Sequence, residues 1–571
     1  MFKKNSRQVQ HNDIDPDEIF LDSSNLPSFD TDLFEGRLEK PISPKTIVIL
    51  GLSFLLISFV YIARAYSLDI VNGNYFADRS AGNNLKTVPV YPERGKIYDR
   101  NGVLLAWNEL SGRVYLPDSG VAHIVGYVGF PTQKEIDLGV TDNPKEYIGK
   151  DGVEKKFNDV LRGLPGAKIA EVDAHGDIVS EHIFQPGVAG RDITLAVDSR
   201  VTKKFYEEIH KLANEYKFSA GAGVIIDTKT GEVLAMTSYP EYDPNVLVGG
   251  SDSKKIGSYM TDDKKPFLNR AISGLYTPGS IVKPVFALGA LNEKLISPEK
   301  KIYSKGYISV QNPFFPDKQS IYKDWKAHGW VDMRRALAIS SDVYFYALGG
   351  GYEDQKGLGI ERLDRYASMF GMGQVTGIEL DKEMAGNIPT PAWKASTTKD
   401  SLWRLGDTYI SSIGQYGFLT TPIQMAKVAA AIGTNGKLVR PTIFFSNIVD
   451  SDRYLGSVTI ALDSYSEINI SPENFRVVQE GMREGVTDSD GTARALNLFD
   501  VKVAAKTGTA ELGITKKMVN SWGMGYFPYD SPKFSFAIVM ERGSRENVVG
   551  ANSAMRRLLE WMVVNTPEYI Q

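Results

Sequence analysis

The stretch LYTPGSIVKPVFALGA, residues 275–290, places a serine three residues before a lysine at the start of an apolar run. Its opening, T-P-G, is typical of a turn leading into a helix, and Pro284 fits only a first helical turn. Residues at i and i+3 of a helix share a face, so Ser280 and Lys283 are expected to lie within mutual reach. A serine attacks well once a base takes its proton, and a lysine serves when its surroundings keep it neutral. The stretch therefore predicts Ser280 as an activated nucleophile and Lys283 as its base.

Two later clusters support this interpretation, which S-x-x-K alone does not secure because the spacing recurs elsewhere in the chain. ALAISSDVYFYALG, residues 336–349, holds more polar groups than a helix cap needs, namely Ser340, Ser341 and Asp342. The strand-like VKVAAKTGTA, residues 501–510, carries four further candidates, Lys506, Thr507, Gly508 and Thr509. Side chains alternate faces along a strand, and a glycine there allows a ligand to come close. A second Lys-Thr-Gly, residues 229–231, is interpreted as an ordinary hairpin turn.

Composition and histidine content exclude several classes of protein. A net charge of -4 and a pI near 6.0 give no basic field for a phosphate backbone, so no nucleic-acid partner is expected. The absence of cysteine excludes disulfides, thiolate nucleophiles and cysteine-ligated zinc. A Ser-His-Asp hydrolase is disfavoured, because His328 is the only histidine after residue 217. Asp324 and His328 are interpreted as a salt-bridged pair on a surface helix, with a metal pair as the alternative; we expect neither metal nor cofactor.

The chain is expected to be anchored in a membrane. Residues 46–63, TIVILGLSFLLISFVYIA, carry no charge and are just long enough to span a bilayer. An acidic tail precedes them, unlike a cleaved signal peptide. Arg37, Lys40 and Lys45 outnumber the cations close behind the segment, which favours a cytoplasmic tail and a catalytic domain outside.

Four segments follow from this pattern. We predict a disordered cytoplasmic tail (1–45), a transmembrane helix (46–65), a mostly β module (66–217) and an α+β domain (218–571). The β module contains GLPGAKIAEVDAHGDIV, residues 163–179, which predicts a strand pair, and the α+β domain opens with the hairpin GAGVIIDTKTGEVLAMTS, residues 221–238.

The order S-x-x-K, S-x-D, K-T-G resembles the signature set of penicillin-interacting serine enzymes. From about residue 91 onward the chain is similar to class B penicillin-binding proteins, the monofunctional D,D-transpeptidases of cell-wall synthesis. Four more stretches carry the likeness: RGKIYDRNGVLLA (94–106), GKDGVEKKFNDVLRGLPG (149–166), YPEYDPN (239–245) and GQYGFLTTPIQMA (414–426). Asp342 and the DVYFY that it begins look most like the elongation-type penicillin-binding protein 2 group. The resemblance implies a transpeptidase domain like that of serine β-lactamases, an antiparallel sheet flanked by helices, after a mostly β pedestal and one transmembrane helix.

The resemblance also implies roles. Ser280 would be acylated by a peptidoglycan stem peptide ending in D-Ala-D-Ala, with Lys283 as base and with Ser340 and Asp342 lining the cleft. The K-T-G strand, Lys506 to Gly508, would bind the terminal carboxylate. The backbone N–H groups of Ser280 and Thr509 would form the oxyanion hole. A second strand's amine would then form the cross-link; a D,D-carboxypeptidase side activity is an option.

Partners and alternatives follow from the same resemblance. With no glycan-polymerising domain evident, a SEDS-type glycosyltransferase is the expected membrane partner, beside other elongation-complex proteins and β-lactams as inhibitors. A membrane-anchored β-lactam receptor and a serine β-lactamase-like hydrolase are the alternatives. Two departures stand out, since the wider family has asparagine at the position of Asp342 and G-Q-G where this chain has G-Q-Y-G. The sequence does not decide the resting protonation state of Lys283.

Overall fold

A computed structural model gives the structure of the protein. It describes residues 43–77, 85–110, 112–118, 120–172, 178–250, 252–312, 315–445, 454–455, 458–459 and 465–570. The predicted disordered tail falls almost wholly outside these ranges. Contacts divide the chain into two units, Met1–Lys86 with Ile169–Glu181, and Thr87–Lys168 with His182–Gln571. The predicted boundary at residue 217 stays a prediction.

The first unit contains one long apolar helix, α1 (Pro44–Tyr66), which continues as a π-helix over Ser67–Val71. Two residues fix the start of α1: Ser43 accepts a hydrogen bond from the Lys45 N–H as the N-cap, and Pro44 takes the first helical position. Within the described residues, Pro44–Val71 is the one helix long and apolar enough to cross a membrane. A helix of spanning length and composition is thus confirmed; its orientation stays a prediction.

The pedestal is built from short strands and short helices. Its strands are β1 (Leu85–Val90), β2 (Ile97–Tyr98), β3 (Leu104–Glu109), β4 (Gly112–Tyr115), β5 (Val128–Gly129), β6 (Ile148–Gly149), β7 (Gly166–Val172), β8 (Ile178–Gln185) and β9 (Ile193–Thr194). Its helices are α2 (Ala122–Val125), α3 (Gln133–Asp137), α4 (Gly152–Lys156) and α5 (Asn158–Arg162). The sheets have the orders β4-β3-β2-β9, β1-β7-β8 and β5-β6, and the strand pair predicted for residues 163–179 is confirmed as β7 and β8.

Buried carboxylates hold the pedestal together. Glu154 is fully buried and accepts hydrogen bonds from Arg94 Nε at 2.6 Å and Arg113 Nε at 2.7 Å. Burial acts to raise the pKa of Glu154, but the two guanidinium groups outweigh it and lower the pKa below its usual range. Asp99, also buried, accepts from the Ser199 hydroxyl at 2.7 Å. The R-G-x-I-x-D stretch, residues 94–99, is therefore tied by buried side chains to Glu154 and to Ser199, the first residue of the helix Ser199–Tyr216.

Thirteen further strands lie in the described residues after residue 218. They are β10 (Ala220–Asp227), β11 (Val233–Tyr239), β12 (Ile302–Ser304), β13 (Tyr307–Asn312), β14 (Phe315–Lys323), β15 (Gly329–Val331), β16 (Lys437–Val439), β17 (Tyr454–Leu455), β18 (Val458–Thr459), β19 (Tyr465–Glu467), β20 (Ala504–Leu512), β21 (Met518–Phe527) and β22 (Phe534–Ser544). Five form one antiparallel sheet in the order β11-β10-β22-β21-β20, and the others pair as β12-β15, β13-β14, β16-β19 and β17-β18. The second Lys-Thr-Gly, residues 229–231, lies in the turn between β10 and β11, as predicted.

Helices cover both faces of the five-stranded sheet. The helices described in this part of the chain are α6 (Ser199–Tyr216), α7 (Pro244–Leu247), α8 (Ser253–Thr261), α9 (Lys283–Asn292), α10 (Met333–Ala338), α11 (Asp342–Gly350), α12 (Gly359–Met369), α13 (Pro391–Thr397), α14 (Leu405–Ser412), α15 (Pro422–Gly433), α16 (Pro472–Thr487) and α17 (Ala551–Asn565). Of these, α6 and α17 pack on one face of the sheet and α15 on the other. Strand alternation divides the core: Val224 and Ile226 of β10 belong to the apolar cluster that contains α9 and α15. Ile225 between them belongs to the cluster of α6 and α17. The predicted α+β fold with an antiparallel sheet flanked by helices is confirmed.

Candidate active site

Ser280 lies in a single 3-10 turn, Gly279–Val282, which runs directly into α9 at Lys283. Gly279 has a φ of 57°, in the left-handed region, and its N–H donates to the Gly414 carbonyl at 2.9 Å. Residues i and i+3 eclipse in a 3-10 turn, which suits the shared face predicted for Ser280 and Lys283. Ser280 is half-buried between fully buried neighbours. Its position is therefore fixed by a tight turn while the residue keeps access to solvent.

Lys283 is buried and points at the second cluster. Its Nζ donates to Asp342 Oδ1 at 2.6 Å, to the Ser340 carbonyl at 2.9 Å and to the Ser340 hydroxyl at 3.4 Å. The ammonium position also lies 5.3 Å from the centre of the Phe345 ring. No hydrogen bond joins it to the Ser280 hydroxyl among the described residues. The amine is thus held beside the turn that carries Ser280 by groups from another part of the chain.

The second cluster occupies the junction of α10 and α11. Ser340 adopts a φ of 60°, a sparsely populated conformation for a residue other than glycine. Ser341 caps α11 by accepting a hydrogen bond from the Tyr344 N–H, so Asp342 becomes the first helical residue. Burial raises the pKa of the Asp342 carboxyl above its usual range, against the opposing effect of Lys283. Ser340 and Asp342 thereby present polar groups to one buried amine.

Lys506 of β20 completes the cluster from the sheet side. Its side chain is fully buried, and Nζ donates to the Thr507 carbonyl at 2.9 Å. Burial holds the pKa of the Lys506 ammonium well below its usual range, and the charge of Lys283 adds to this effect, against Asp342. Two lysines and one carboxylate therefore share a site from which most water is excluded.

The K-T-G strand packs directly on the turn that carries the serine. A Cβ built on Gly508 would lie 2.7 Å from the Pro278 carbonyl, and one on Gly279 would lie 3.2 Å from the Thr509 carbonyl. Only a residue without a side chain allows this approach of strand and turn. The structure thus brings together the three motifs that the sequence singled out.

Comparisons with known proteins identify the family of this chain. The family described as "Penicillin binding protein transpeptidase domain" matches residues 221–560. The chain belongs to this family. A second family, "Penicillin-binding Protein dimerisation domain", matches residues 110–195 of this penicillin-binding protein, within the region predicted as the pedestal.

Relatives and solved structures extend the match over most of the chain. The peptidoglycan D,D-transpeptidase MrdA of Haemophilus influenzae is 29% identical, with 89% of this chain and 90% of the relative covered. A complex between penicillin-binding protein 2 and MreC from Helicobacter pylori has a TM-score of 0.70 at 25% identity, covering 84% of this chain and 99% of that one. A peptidoglycan synthase complex described as coordinating polymerization and crosslinking has a TM-score of 0.70 at 28% identity, covering 90% and 97%. The predicted resemblance to the penicillin-binding protein 2 group is confirmed.

Asp324 is a site residue whose role the sequence did not reveal. It lies in the loop between β14 and β15 with its carboxylate fully buried, so the predicted surface helix for Asp324 and His328 is wrong. Only five residues separate the two strands, too few for a helix of useful length. The carboxylate Oδ2 instead accepts from Ser341 Oγ at 2.9 Å and from the Val343 N–H at 3.0 Å. His328 Nε2 lies 3.5 Å from Oδ1, and no third metal-ligating side chain joins the pair in the described part of the chain.

The buried Asp324 carboxylate predicts that the stability of the fold depends on pH. Burial acts to raise the pKa of Asp324, but His328, Lys283 and the N–H groups of α11 outweigh it and lower the pKa to about 2. The ionised form therefore stabilises the fold by about 2 kcal/mol above about pH 4, and this contribution is lost as the pH falls towards 2. We expect Asp324→Asn to lower the free energy of unfolding by about this amount at pH 7, measured by urea denaturation in detergent.

The exposed Asp317 on the same hairpin provides the control, since Asp317→Asn should change the unfolding free energy very little at any pH. The difference in the free energy of unfolding between Asp324→Asn and the parent protein should shrink as the pH falls from 4 to 2. A difference that stays constant over that interval would contradict the assignment of a favoured, ionised Asp324.

The departure at G-Q-Y-G is accommodated without disturbing the turn. Tyr416 takes a φ of 61°, and its ring packs edge-on against Trp393 and Trp403 at 5.9 and 5.8 Å between ring centres. Gly414 keeps a φ of 73° and accepts the hydrogen bond from Gly279. The tyrosine thus adopts the left-handed conformation that glycine takes easily, and the aromatic pair holds it there.

Gly414→Ala is expected to impair acylation of the nucleophile. Its Cβ would lie 2.2 Å from the Gly279 carbonyl, so the turn carrying Ser280 must shift. A displacement of about 1 Å at a reacting centre lowers rates by about 100-fold, which is the fall we expect in the rate constant for labelling by fluorescent penicillin. Gly359→Ala is the matched control, because Gly359 has a φ of 74° with no atom within 4 Å of its Cβ. Equal labelling rate constants for the two variants would contradict the importance of the close contact between Gly414 and Gly279.

Proposed function

We propose that this chain is a peptidoglycan D,D-transpeptidase that cross-links stem peptides through a serine acyl-enzyme during cell-wall elongation, and that β-lactams inhibit it. One observation carries the proposal: a half-buried serine, a buried lysine paired with a carboxylate, and a second buried lysine converge where α9, α11 and β20 meet. The named activity of the Haemophilus influenzae relative supports the same reaction.

In the acylation step, Ser280 Oγ attacks the carbonyl carbon of the penultimate D-Ala. Its proton passes to Lys283 Nζ, and the N–H groups of Ser280 and Thr509 stabilise the oxyanion that forms. The bond to the terminal D-Ala then breaks, and its amine nitrogen receives a proton relayed through Ser340. The product is an ester between the stem peptide and Ser280, with free D-Ala as the leaving group.

Asp342 suits this step although the wider family carries asparagine there. Lys283 must be neutral to accept the serine's proton. Burial raises the pKa of Asp342, which weakens the tendency of that carboxyl to hold Lys283 as an ammonium. The 2.6 Å hydrogen bond from Lys283 Nζ to Asp342 Oδ1 orients the amine in the site.

The K-T-G strand supplies the substrate's other anchor. Lys506 and the Thr507 hydroxyl bind the carboxylate of the terminal D-Ala, and Gly508 leaves room for the peptide backbone. An amine of a second stem peptide then attacks the ester and restores the Ser280 hydroxyl. Attack by water instead gives the D,D-carboxypeptidase side reaction.

We propose that α1 anchors the protein in the cytoplasmic membrane, with its tail in the cytoplasm and the catalytic domain outside. A SEDS-type glycosyltransferase is the proposed polymerising partner, alongside other proteins of the elongation complex. The synthase complex that couples polymerization and crosslinking, and the MreC complex of the Helicobacter pylori protein, support partners of this kind.

The experiment uses the full chain in detergent with uncross-linked peptidoglycan strands, followed by separation of muropeptides. We expect cross-linked dimers and release of D-Ala, both blocked by penicillin, which leaves a long-lived adduct. Rapid hydrolysis of penicillin would favour a β-lactamase-like hydrolase. A stable adduct with no cross-links, even with the polymerising partner present, would favour a β-lactam receptor.

A further inference from the structure

Thr492, in the loop after α16, connects two of the site's motifs. Thr507 Oγ1 and Thr492 Oγ1 lie 2.7 Å apart, joined by a hydrogen bond. On its other side, Thr492 reaches the Ala338 carbonyl, with its N–H at 3.1 Å and its hydroxyl at 3.4 Å. Ala338 ends α10, two residues before Ser340. Thr492 therefore bridges the K-T-G strand and the segment that leads into the second cluster.

The loop that carries Thr492 is itself held in place. Arg335 of α10 forms ion pairs with Asp488 at 2.7 Å and with Asp490 at 2.8 Å. The Ala493 N–H donates to the Gly485 carbonyl at 2.8 Å, which fixes the loop's far end to α16. Thr492 is thus presented to Thr507 by anchored backbone on both sides.

We propose that Thr492 is a positioning residue that orients the Thr507 hydroxyl for the substrate's terminal carboxylate; the inference rests on the proposed function. In the described residues, Thr492 is the only hydrogen-bond partner of the Thr507 side chain. Without substrate, the hydroxyl protons run from Thr507 to Thr492 and on to Ala338. When a carboxylate arrives, both hydroxyls rotate, and Thr492 donates to Thr507 while Thr507 donates to the carboxylate.

Both hydroxyls can reverse the direction of their hydrogen bonds, because each carries one proton and two acceptor lone pairs. The bond given up, from Thr492 to Ala338, is long at 3.4 Å, whereas the bond gained is charge-assisted. A donor that is itself hydrogen-bonded by a neighbour is a stronger donor, since bonds in a chain polarise one another. Removing the Thr492 hydroxyl should therefore weaken recognition of the carboxylate specifically and leave the nucleophile's chemistry in place.

The test compares two penicillins on the full chain in detergent, one with its free carboxylate and one as the methyl ester. The readout is the ratio of their acylation rate constants for Ser280. In Thr492→Val we expect this acid-to-ester ratio to fall about tenfold, because the free acid alone loses a polarised donor. Thr492→Ala should show the same fall, and Thr492→Ser, which keeps the hydroxyl, should retain the parent ratio.

Thr487→Val is the matched control. Thr487 ends α16, and among the described residues its exposed hydroxyl donates only to the Arg483 carbonyl of the same helix. It should keep the parent ratio. An unchanged ratio in folded Thr492→Val or Thr492→Ala overturns the inference, as does an equal slowing of acid and ester, which indicates a merely structural role. If the parent protein is acylated by neither penicillin, the proposed function itself fails.

Discussion

Ser280→Ala is expected to abolish both penicillin labelling and cross-link formation, with rates falling by more than about 1000-fold. The variant keeps the turn, the buried lysines and the carboxylate-binding strand, but it has no oxygen to attack a carbonyl carbon. Non-covalent binding of a stem peptide should persist, because Lys506 and Thr507 are untouched. In-gel fluorescence of a labelled penicillin and muropeptide analysis measure the two losses.

Ser273→Ala is the control for this loss. Ser273 is seven residues upstream, and its hydroxyl donates to the Lys382 carbonyl at 2.7 Å. It should label and cross-link like the parent protein. Residual labelling of Ser280→Ala at more than one part in a hundred would contradict the assignment, because it would require another nucleophile.

Lys283→Met is expected to slow acylation by about 1000-fold while the protein remains folded, since general-base catalysis typically contributes 10²–10⁴-fold. Methionine fills similar space beside the Phe345 ring but offers no amine to take the serine's proton. The change also removes the partner of Asp342, 2.6 Å away, and removing one partner of a buried ion pair destabilises by up to about 3–5 kcal/mol. Stopped-flow acylation and thermal unfolding separate these two effects.

A double variant separates the loss of the base from the loss of stability. Lys283→Met combined with Asp342→Asn removes the unpaired carboxylate, so we expect it to recover much of the lost stability. It should recover none of the acylation rate, because the base is still missing. Acylation within tenfold of the parent in either variant would contradict the role of Lys283.

The residues of the three motifs could be predicted because their information is local. Ser280 and Lys283 are three residues apart at a helix start, and Lys506 to Thr509 are consecutive in one strand. The hairpin of β10 and β11 was predictable for the same reason, from two runs of small and apolar residues around a D-T-K-T-G turn. Short-range spacing fixes these positions, and the fold then brings them together.

Asp324 and Thr492 could not be found in this way, because their partners are distant in sequence. Asp324 caps a helix that begins 18 residues later, and Thr492 supports a strand residue 15 positions away and a carbonyl 154 positions away. An aspartate four residues before a histidine has the spacing of a helical pair, yet the strands on either side leave it in a loop. Neither that spacing nor the polarity of Asp324 beside aromatic residues identifies its partners Ser341 and Val343.

The packing of turn against strand also had little sequence signal. Gly279, Gly414 and Gly508 are spread over 230 positions, and each admits a backbone contact that a side chain would block. A glycine in a turn or strand is common for many reasons, so its tertiary partner emerges only from the fold. These contacts explain why the three motifs share one cleft.

The most direct test of the account is peptide mass mapping of the full chain after reaction with penicillin. We predict one modified peptide, carrying the mass of the intact drug on Ser280, with no adduct on any other serine. The adduct should be absent from Lys283→Met at short reaction times. An adduct on a different residue, or none in a folded protein, would contradict the claim that Ser280 is the acylated nucleophile.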